Sequence, residues 1–413
     1  MSNQRAGAWY VRPKGNEQFV YFKSTDGHAG EHDFSFRRTN LALVPVVEKH
    51  GGVLLVDSTR RGKRFPDALS KTVPLWCATM NAARLKLEPL ENLPAAAKQS
   101  WAENGKLWTL PSAVGRSEHS QIEAKIDQWA DGLLASSYNL EMVRSLAKPL
   151  RPLFVSPASQ LSLQRASDFP DFYPVVCVSA SKLASEEDGL ERAGGYTYVQ
   201  GSGDDHEEWS KGLTPDVFWA NEKSIMAASR NDIDRLIQDV RSDTVSLASP
   251  DEFTIRSTHL KLVFGQTRTP DVAAKPHELV ITTGQSPLPA EDLPERYLAT
   301  RPGKVGYTAF FKAVGTIVDE LSANLQQGHL VSIVAAQSDT LSDTKDLVVA
   351  VALILLARNF NDDGALSSEQ QHRRPTKILI RARLQWILES VPGLNPSRNI
   401  LTKTNGFLMS SSD

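Results

Sequence analysis

A chain of 413 residues, 41% hydrophobic and 23% charged, is long enough for two or three domains and apolar enough for ordinary globular cores, which excludes a disordered or fibrous protein. Its formal net charge of -2 excludes a broad basic coat, so any contact with nucleic acid has to come from local patches. Cys77 and Cys177 supply neither a disulfide framework nor a CxxC metal knuckle and suit a reducing compartment. The polar stretch Met1–Gly15 has no apolar signal core, and Leu347–Ala357, the longest apolar run, is too short to cross a bilayer, so no membrane partner and a cytoplasmic location are expected.

The first segment with chemical character is Ser24–Asn40. His28, Glu31 and His32 follow the order of an HxxEH zinc motif, but that motif needs a helix, and Gly27 and Gly30 each cost about 1 kcal/mol in one. Ser24-Thr25-Asp26-Gly27 reads as a turn instead, with Arg37 and Arg38 placed for phosphate contact. His28 is open between a base and a structural histidine.

Residues Gly51–Val56 read as a short buried strand after Gly-Gly punctuation, entering the loop of Val53–Lys71, VLLVDSTRRGKRFPDALSK. That loop carries the hydroxyls of Ser58 and Thr59, the backbone amides around Gly62, and the cations Arg60, Arg61, Lys63 and Arg64, with Lys71 beyond. Such a mixture can hold a phosphate or pyrophosphate through charge-assisted hydrogen bonds. Asp57 and Asp67 interrupt the cations and can accept a proton or hold Mg2+. A solvated basic loop with surface ion pairs fits the same composition. A Walker A loop does not, because Gly62-Lys63 is followed by Arg64 and lacks the upstream glycine.

Ser120–Leu146 has helical spacing, with Ile122, Ile126, Trp129 and Leu133 on one face. Pro174–Ser179 repeats the buried-strand logic of Gly51–Val56, and the alternation of strands and helices predicts an α/β domain. In Tyr198–Trp219, Asp204, Asp205, His206 and Glu207 crowd together after Gly201 and Gly203. Adjacent carboxylates repel unless a cation, metal or proton resolves them, which favours a site, although a polar surface turn is the alternative. Ala248–Pro289 is loose, Pro-, Thr- and Gly-rich sequence, which puts a boundary between a domain of residues 1–270 and one of residues 275–413.

The last third is more regular. The pattern predicts a helix over Tyr307–Leu325, a strand over Leu330–Ala335, an apolar helix over Lys345–Asn359, and two closing helices near Thr376–Ser390 and Pro396–Met409. This order resembles a dual-specificity-phosphatase core. The loop Ala336–Thr344 contains neither the cysteine nucleophile nor the arginine of such an enzyme, so it is expected to bind rather than hydrolyse. Arg373, Arg374, Lys377, Arg381 and Arg383 form a second basic patch here.

Taken together, STDGHAGEHDFSFRRTN, GGVLLVDSTRRGKRFPDALSKTVPLWC and YVQGSGDDHEEWSKGLTPDVFW resemble the initiator tRNA 2'-O-ribosyl phosphate transferases of fungi and plants. The run from Leu325 through Val391–Arg398 to Phe407-Leu408-Met409 is similar to that family's phosphatase-like domain. His32 stands where the family suggests a tryptophan, Thr39 where it suggests an apolar residue, and additional residues are expected before Trp9.

The resemblance implies phosphoribosyl pyrophosphate (PRPP) as donor, Mg2+ as companion ion, and the ribose 2'-hydroxyl of nucleotide 64 of initiator tRNA as acceptor. On this reading Asp57, Arg60, Arg61, Lys63, Asp205 and His206 carry the chemistry. Departing pyrophosphate needs cations, and the 2'-hydroxyl needs a base, for which Asp57, Asp205 and His206 are the choices. Ser58, Thr59, Arg64, Asp67, Lys71, His28, Arg37 and Arg38 bind substrate, Asp204, Asp205 and Glu207 hold metal, and Arg373, Arg374, Lys377 and Arg381 hold the RNA stem. A tRNA-binding pseudophosphatase and a nucleobase phosphoribosyltransferase remain alternatives.

Overall fold

The computed structural model describes residues 1–3, 7–9, 11–12, 19–24, 30–57, 64–157, 159, 169–180, 210, 213–244, 251–256, 258–266, 277–283, 296–301, 303–336, 341–367, 375–391 and 394–410. The chain divides into two compact units, Met1–His206 and Glu207–Asp413.

In the first unit, strands β1 (Ser2–Asn3) and β2 (Phe19–Val20) make a small parallel pair. Helix α1 (Leu43–His50) buries Leu43, Val44 and Val47 and ends on Gly51, whose φ of 72° is the left-handed conformation glycine adopts without strain. Gly52 follows at φ 149°, and a Cβ there would lie 2.8 Å from Pro174, so the second glycine lets the chain pass close to its partner strand. Strand β3 (Val53–Asp57) then pairs in parallel with β5 (Tyr173–Ser179), which also pairs in parallel with β4 (Leu150–Val155), giving the order β3-β5-β4. β3 is a strand as expected but not a buried one: it lies at the edge of the sheet, Leu54 and Val56 are exposed and none of its residues is buried, whereas most of β5 is buried.

A π-helical turn, Ala68–Thr72, runs directly into helix α2 (Val73–Leu87), the central helix of this unit. Trp76, Leu75 and Met80 are fully enclosed, each contributing roughly 1.5–3 kcal/mol by burial. Asn81 fixes the start of β4, donating from Nδ2 to the Leu150 carbonyl (2.9 Å) and accepting the Leu150 amide at Oδ1 (2.8 Å). Helix α3 (Ala95–Asn104) follows. The expected helical run 120–146 is three helices, α4 (Arg116–Glu123), α5 (Ile126–Leu134) and α6 (Glu141–Arg144). Its apolar face is real, because Ile122, Trp129 and Leu133 all enter the core, but the chain breaks at residues 124–125 and turns.

The second unit opens with the short helices α7 (Pro215–Ala220) and α8 (Glu222–Ala227) and the helix α9 (Ile233–Thr244), with Thr214 capping α7 by accepting the Val217 amide. A five-stranded sheet follows, in the order β6-β7-β10-β8-β9. Its strands are β6 (Asp251–Thr254), β7 (Leu260–Gln266), β8 (Glu278–Thr283), β9 (Tyr297–Thr300) and β10 (Val331–Ala336). Only β6 is antiparallel to its neighbour.

Three of these strands lie inside the stretch whose composition looks loose, because short apolar runs such as Leu260–Phe264 are bounded by Thr, Pro and Gly. Residues 270–275 fall between β7 and β8, both of which pair with β10. Helix α11 (Leu341–Asn359) is buried on all sides from Leu347 to Ala357 because α10 (Gly303–Gln326), α12 (Lys377–Ser390) and α13 (Arg398–Met409) pack on it together with the sheet. Among the described residues no helix is long and apolar enough to cross a membrane.

Candidate active site

Parallel strands release their chains on one side of a sheet, and ligands of α/β folds bind outside those carboxyl ends. In the first unit Asp57 closes β3 opposite Ser179 at the end of β5, and Val155 closes β4 opposite Val178. The Ala180 amide extends the pairing by donating to the Asp57 carbonyl at 2.9 Å. Ser179 is 1% exposed, and among the described residues its hydroxyl has no hydrogen-bond partner, a buried polar group at this end of the sheet.

The chain returns at Arg64, whose Nε donates to Ser156 Oγ (3.2 Å) just past the end of β4. Ser156 is itself held by its amide on Ser159 Oγ at 2.9 Å. A helix begins at once, since the amides of Leu69 and Ser70 both donate to the Pro66 carbonyl. Proline suits a first helical turn because its missing N–H would have no partner there. A parallel strand and a helix N-terminus thus flank a segment whose sequence is rich in cations, and the positive dipole end of a helix favours an anion at its start.

Asp67, just before the π-helical segment, and Lys71 within it are both buried (6% and 7% exposed). Lys71 Nζ lies 2.7 Å from Glu118 Oε1 on α4 and 3.7 Å from Asp67 Oδ1. Glu118 Oε1 is also 3.0 Å from Nε2 of His32, which is 2% exposed. Burial acts to raise the Glu118 carboxyl, but hydrogen bonds from Lys71 and His32 and their charge outweigh it and hold the group below its ordinary value. Lys125 Nζ donates to the His32 carbonyl (2.9 Å), fixing the segment before Arg37 and Arg38. An open depression of about 540 Å³ lies beside it, walled by Phe36 and Trp129 and rimmed by Glu31 and Asp33.

The structure thus brings Asp57, Arg64, Asp67 and Lys71 into one strand–loop–helix module. It locks Asp67 and Lys71 into internal ion pairs rather than presenting them to solvent. Arg37 and Arg38 are partly buried, with the Arg38 guanidinium 5.5 Å from the Tyr21 ring centroid. Ser58, Thr59, Arg60, Arg61, Lys63, His28, Asp204, Asp205, His206, Glu207, Arg373 and Arg374 lie outside the described residues. Lys377 and Arg381 are exposed on one face of α12. Arg383 leaves the basic patch, because it sits on the opposite face, 1% exposed, donating to the Phe360 carbonyl, paired with Asp362 and stacked 4.1 Å from the Trp386 ring centroid. Glu118 had no sequence signal, since a glutamate in RSEHSQIE looks like any solvated helix residue.

The second unit has a comparable strand-to-helix step from β10 to α11, with opposite chemistry. Two acids, Asp343 and Asp346, occupy the first turns of α11. Tyr307 Oη lies 2.6 Å from Asp343 Oδ1 and 3.0 Å from Asp346 Oδ2, and the Ser397 amide donates to Asp346 Oδ1 (2.9 Å). Burial, opposed by the hydrogen bonds it accepts, raises the Asp346 carboxyl above its ordinary value, and burial likewise pushes the Tyr307 phenol up.

A family model described as the Rit1 N-terminal domain matches residues 1–242, and one described as the Rit1 DUSP-like domain matches residues 295–408. The chain belongs to the Rit1 family. Two Rit1 relatives span nearly all of it. One is an uncharacterised protein of Schizosaccharomyces pombe, 34% identical over 99% of this chain and 88% of its own length. The other, from Saccharomyces cerevisiae, is named tRNA A64-2'-O-ribosylphosphate transferase and is 30% identical over 98% of this chain and 86% of its own length. No solved structure matches. The fold expected for the Rit1 family holds, an N-terminal α/β region followed by a DUSP-like one, and membership makes the chain a tRNA-modifying transferase of the glycosyl-transfer type.

Proposed function

We propose that this chain transfers a 5-phosphoribosyl group from PRPP to the ribose 2'-hydroxyl of nucleotide 64 of initiator tRNA. The observation that carries this reading is the near full-length identity to a protein named for ribosylphosphate transfer to A64 of tRNA. The carboxyl end of the β3-β5-β4 sheet supports it chemically. A diphosphate leaving group needs fixed donors and cations, and Arg64 is already anchored there by Ser156 beside a helix N-terminus. The pairing of Asp57 with Ser179 puts one carboxylate and one hydroxyl, unpartnered among the described residues, at the same edge.

Mg2+ is normally held by one or two carboxylates together with substrate phosphates, and Asp57 can supply such an oxygen. When bound, the ion would neutralise charge building on the pyrophosphate. Arg60, Arg61 and Lys63 share that task, and Asp57, Asp205 or His206 takes the 2'-hydroxyl proton.

Incubation with PRPP labelled in its ribose, Mg2+ and initiator tRNA tests the proposal. Label should appear in RNA at one ribose. Label appearing in a free base, or tRNA binding without label transfer, would replace it with a nucleobase phosphoribosyltransferase or a binding protein.

A further inference from the structure

At the opposite, amino-terminal edge of the same sheet, three cations sit on aromatic rings. Arg151, the second residue of β4, has its guanidinium carbon 3.9 Å from the Trp108 ring centroid and 4.8 Å from that of Phe172. Lys106 Nζ lies 5.2 Å from the Trp108 centroid, and Lys148 Nζ lies 5.6 Å from that of Tyr173, the residue paired with Leu150. Phe169 packs on Phe172 with centroids 5.1 Å apart.

Among the described residues the guanidinium of Arg151 hydrogen-bonds through Nη1 to Asn104 Oδ1 (2.7 Å). Arg151 is only partly buried, and neither Nε nor Nη2 is among the buried atoms lacking a partner. Two rings and one hydrogen bond at Nη1 thus hold the guanidinium in place, leaving Nε and Nη2 as the donors for a ligand. Desolvation by those rings lowers its pKa from the ordinary value, yet arginine remains charged at any physiological pH.

We propose that Lys106, Trp108, Lys148, Arg151 and Phe172 form an RNA-docking platform on the first unit, with the Arg151 fork on a phosphodiester. The half-exposed rings of Trp108 and Tyr173 lie beside the ribose-phosphate chain or an unstacked base. This deepens the proposed tRNA reading and rests on it. Rigid arginine forks match phosphate oxygens, aromatic faces suit bases and sugars, and the two lysines add charge on either side, which is the mixture RNA-binding surfaces use. The platform lies one strand length, about 17 Å, from the carboxyl edge proposed for the donor. A stem bound across that distance would bring a ribose to the donor while its backbone is held elsewhere.

The test uses the full chain and measures initiator tRNA affinity at two salt concentrations for wild type, Lys106→Ala/Lys148→Ala and Arg151→Lys. The double variant removes two surface charges without entering the core. It should bind tRNA about tenfold more weakly near physiological salt and flatten the salt dependence by about one counterion per lysine. Arg151→Lys keeps the charge but loses the fork, so affinity should fall with little change of slope.

Wild-type tRNA affinity and slope in the double variant would overturn the platform. So would a loss of inorganic pyrophosphate binding with tRNA binding intact, which would move these cations to the donor. If the wild-type protein binds tRNA through these residues but transfers no label from PRPP, the platform stands and the transferase reading falls.

Discussion

Both units run a parallel strand toward a helix N-terminus, and the sequences that follow the two strands differ in charge. After β3 come Arg60, Arg61, Lys63 and Arg64, whereas after β10 come Asp343 and Asp346, already satisfied by Tyr307 and the Ser397 amide. A helix N-terminus attracts an anion in either case. In the second unit the protein's own carboxylates take that place and tie α10, α11 and the start of α13 together. Geometry alone does not make an anion site, since in the second unit acids in the first turns of the helix already occupy it.

The sharpest way to break this comparison is to discharge the proposed donor site of the first unit. Lys63→Ala or Arg60→Ala should cut the single-turnover transfer rate on the order of a hundredfold or more, because the lost interaction is concentrated on the departing pyrophosphate, while tRNA affinity barely changes. If Lys63→Ala lost RNA affinity and kept its saturated rate, the donor would have to move away from Asp57–Lys71. A smaller effect is expected on the exposed face of α12. Arg381→Ala should weaken tRNA binding about two- to fivefold and reduce its salt dependence by about one counterion. Salt titration of labelled tRNA reads both numbers.

The self-occupied site makes a prediction of the reverse sign. The Asp346 carboxyl is raised in the fold, so its contribution to stability is full below the ordinary carboxylate range and is lost as pH rises through the raised value. Asp346→Asn keeps an acceptor for the Ser397 amide and removes that loss, so at pH 7 its melting temperature should match or exceed wild type by about 1–3 °C. A variant that melts several degrees lower would show that ionised Asp346 is needed. Glu118 should behave oppositely. Its carboxyl is lowered, so its contribution is present above the ordinary range and disappears as pH falls below about 4, and Glu118→Gln should flatten the acid limb of the stability curve. The smallest expected signal is none at all, since phosphatase turnover of a phosphotyrosine analogue should stay at background after repurification. Persistent turnover would end the view that the second site is filled from within.

Much of the frame was legible because it is periodic. Gly51–Val56 and Pro174–Ser179 read as strands from short apolar runs, and Lys345–Asn359 reads as an apolar helix from its length and apolarity. Strands β6 to β8 did not, because four to seven residues between turn-formers carry too little pattern. The site divides the same way. The strand and the cationic loop are contiguous in sequence, so Asp57 and Arg64 could be named. The burial of Asp67 and Lys71 depends on Glu118 and His32, dozens of positions away, and local chemistry cannot report that a basic residue beside four others points inward. Arg383 shows the limit most plainly. It shares a basic run with Lys377 and Arg381, and only its place on the far side of α12 makes it part of the core.

In its sheet, β3 pairs with β5 alone, and Val53 meets Val175 roughly 120 residues downstream. During synthesis the phosphate-loop segment therefore emerges long before the strand that will hold it. Until Tyr173–Ser179 has left the ribosome, Asp57 has no neighbour in register and the loop after it has no fixed origin. The strand that ends on Asp57 thus has to wait for β5, and a nascent chain stopped before β5 should carry every cation of the proposed site with no paired strand to position them.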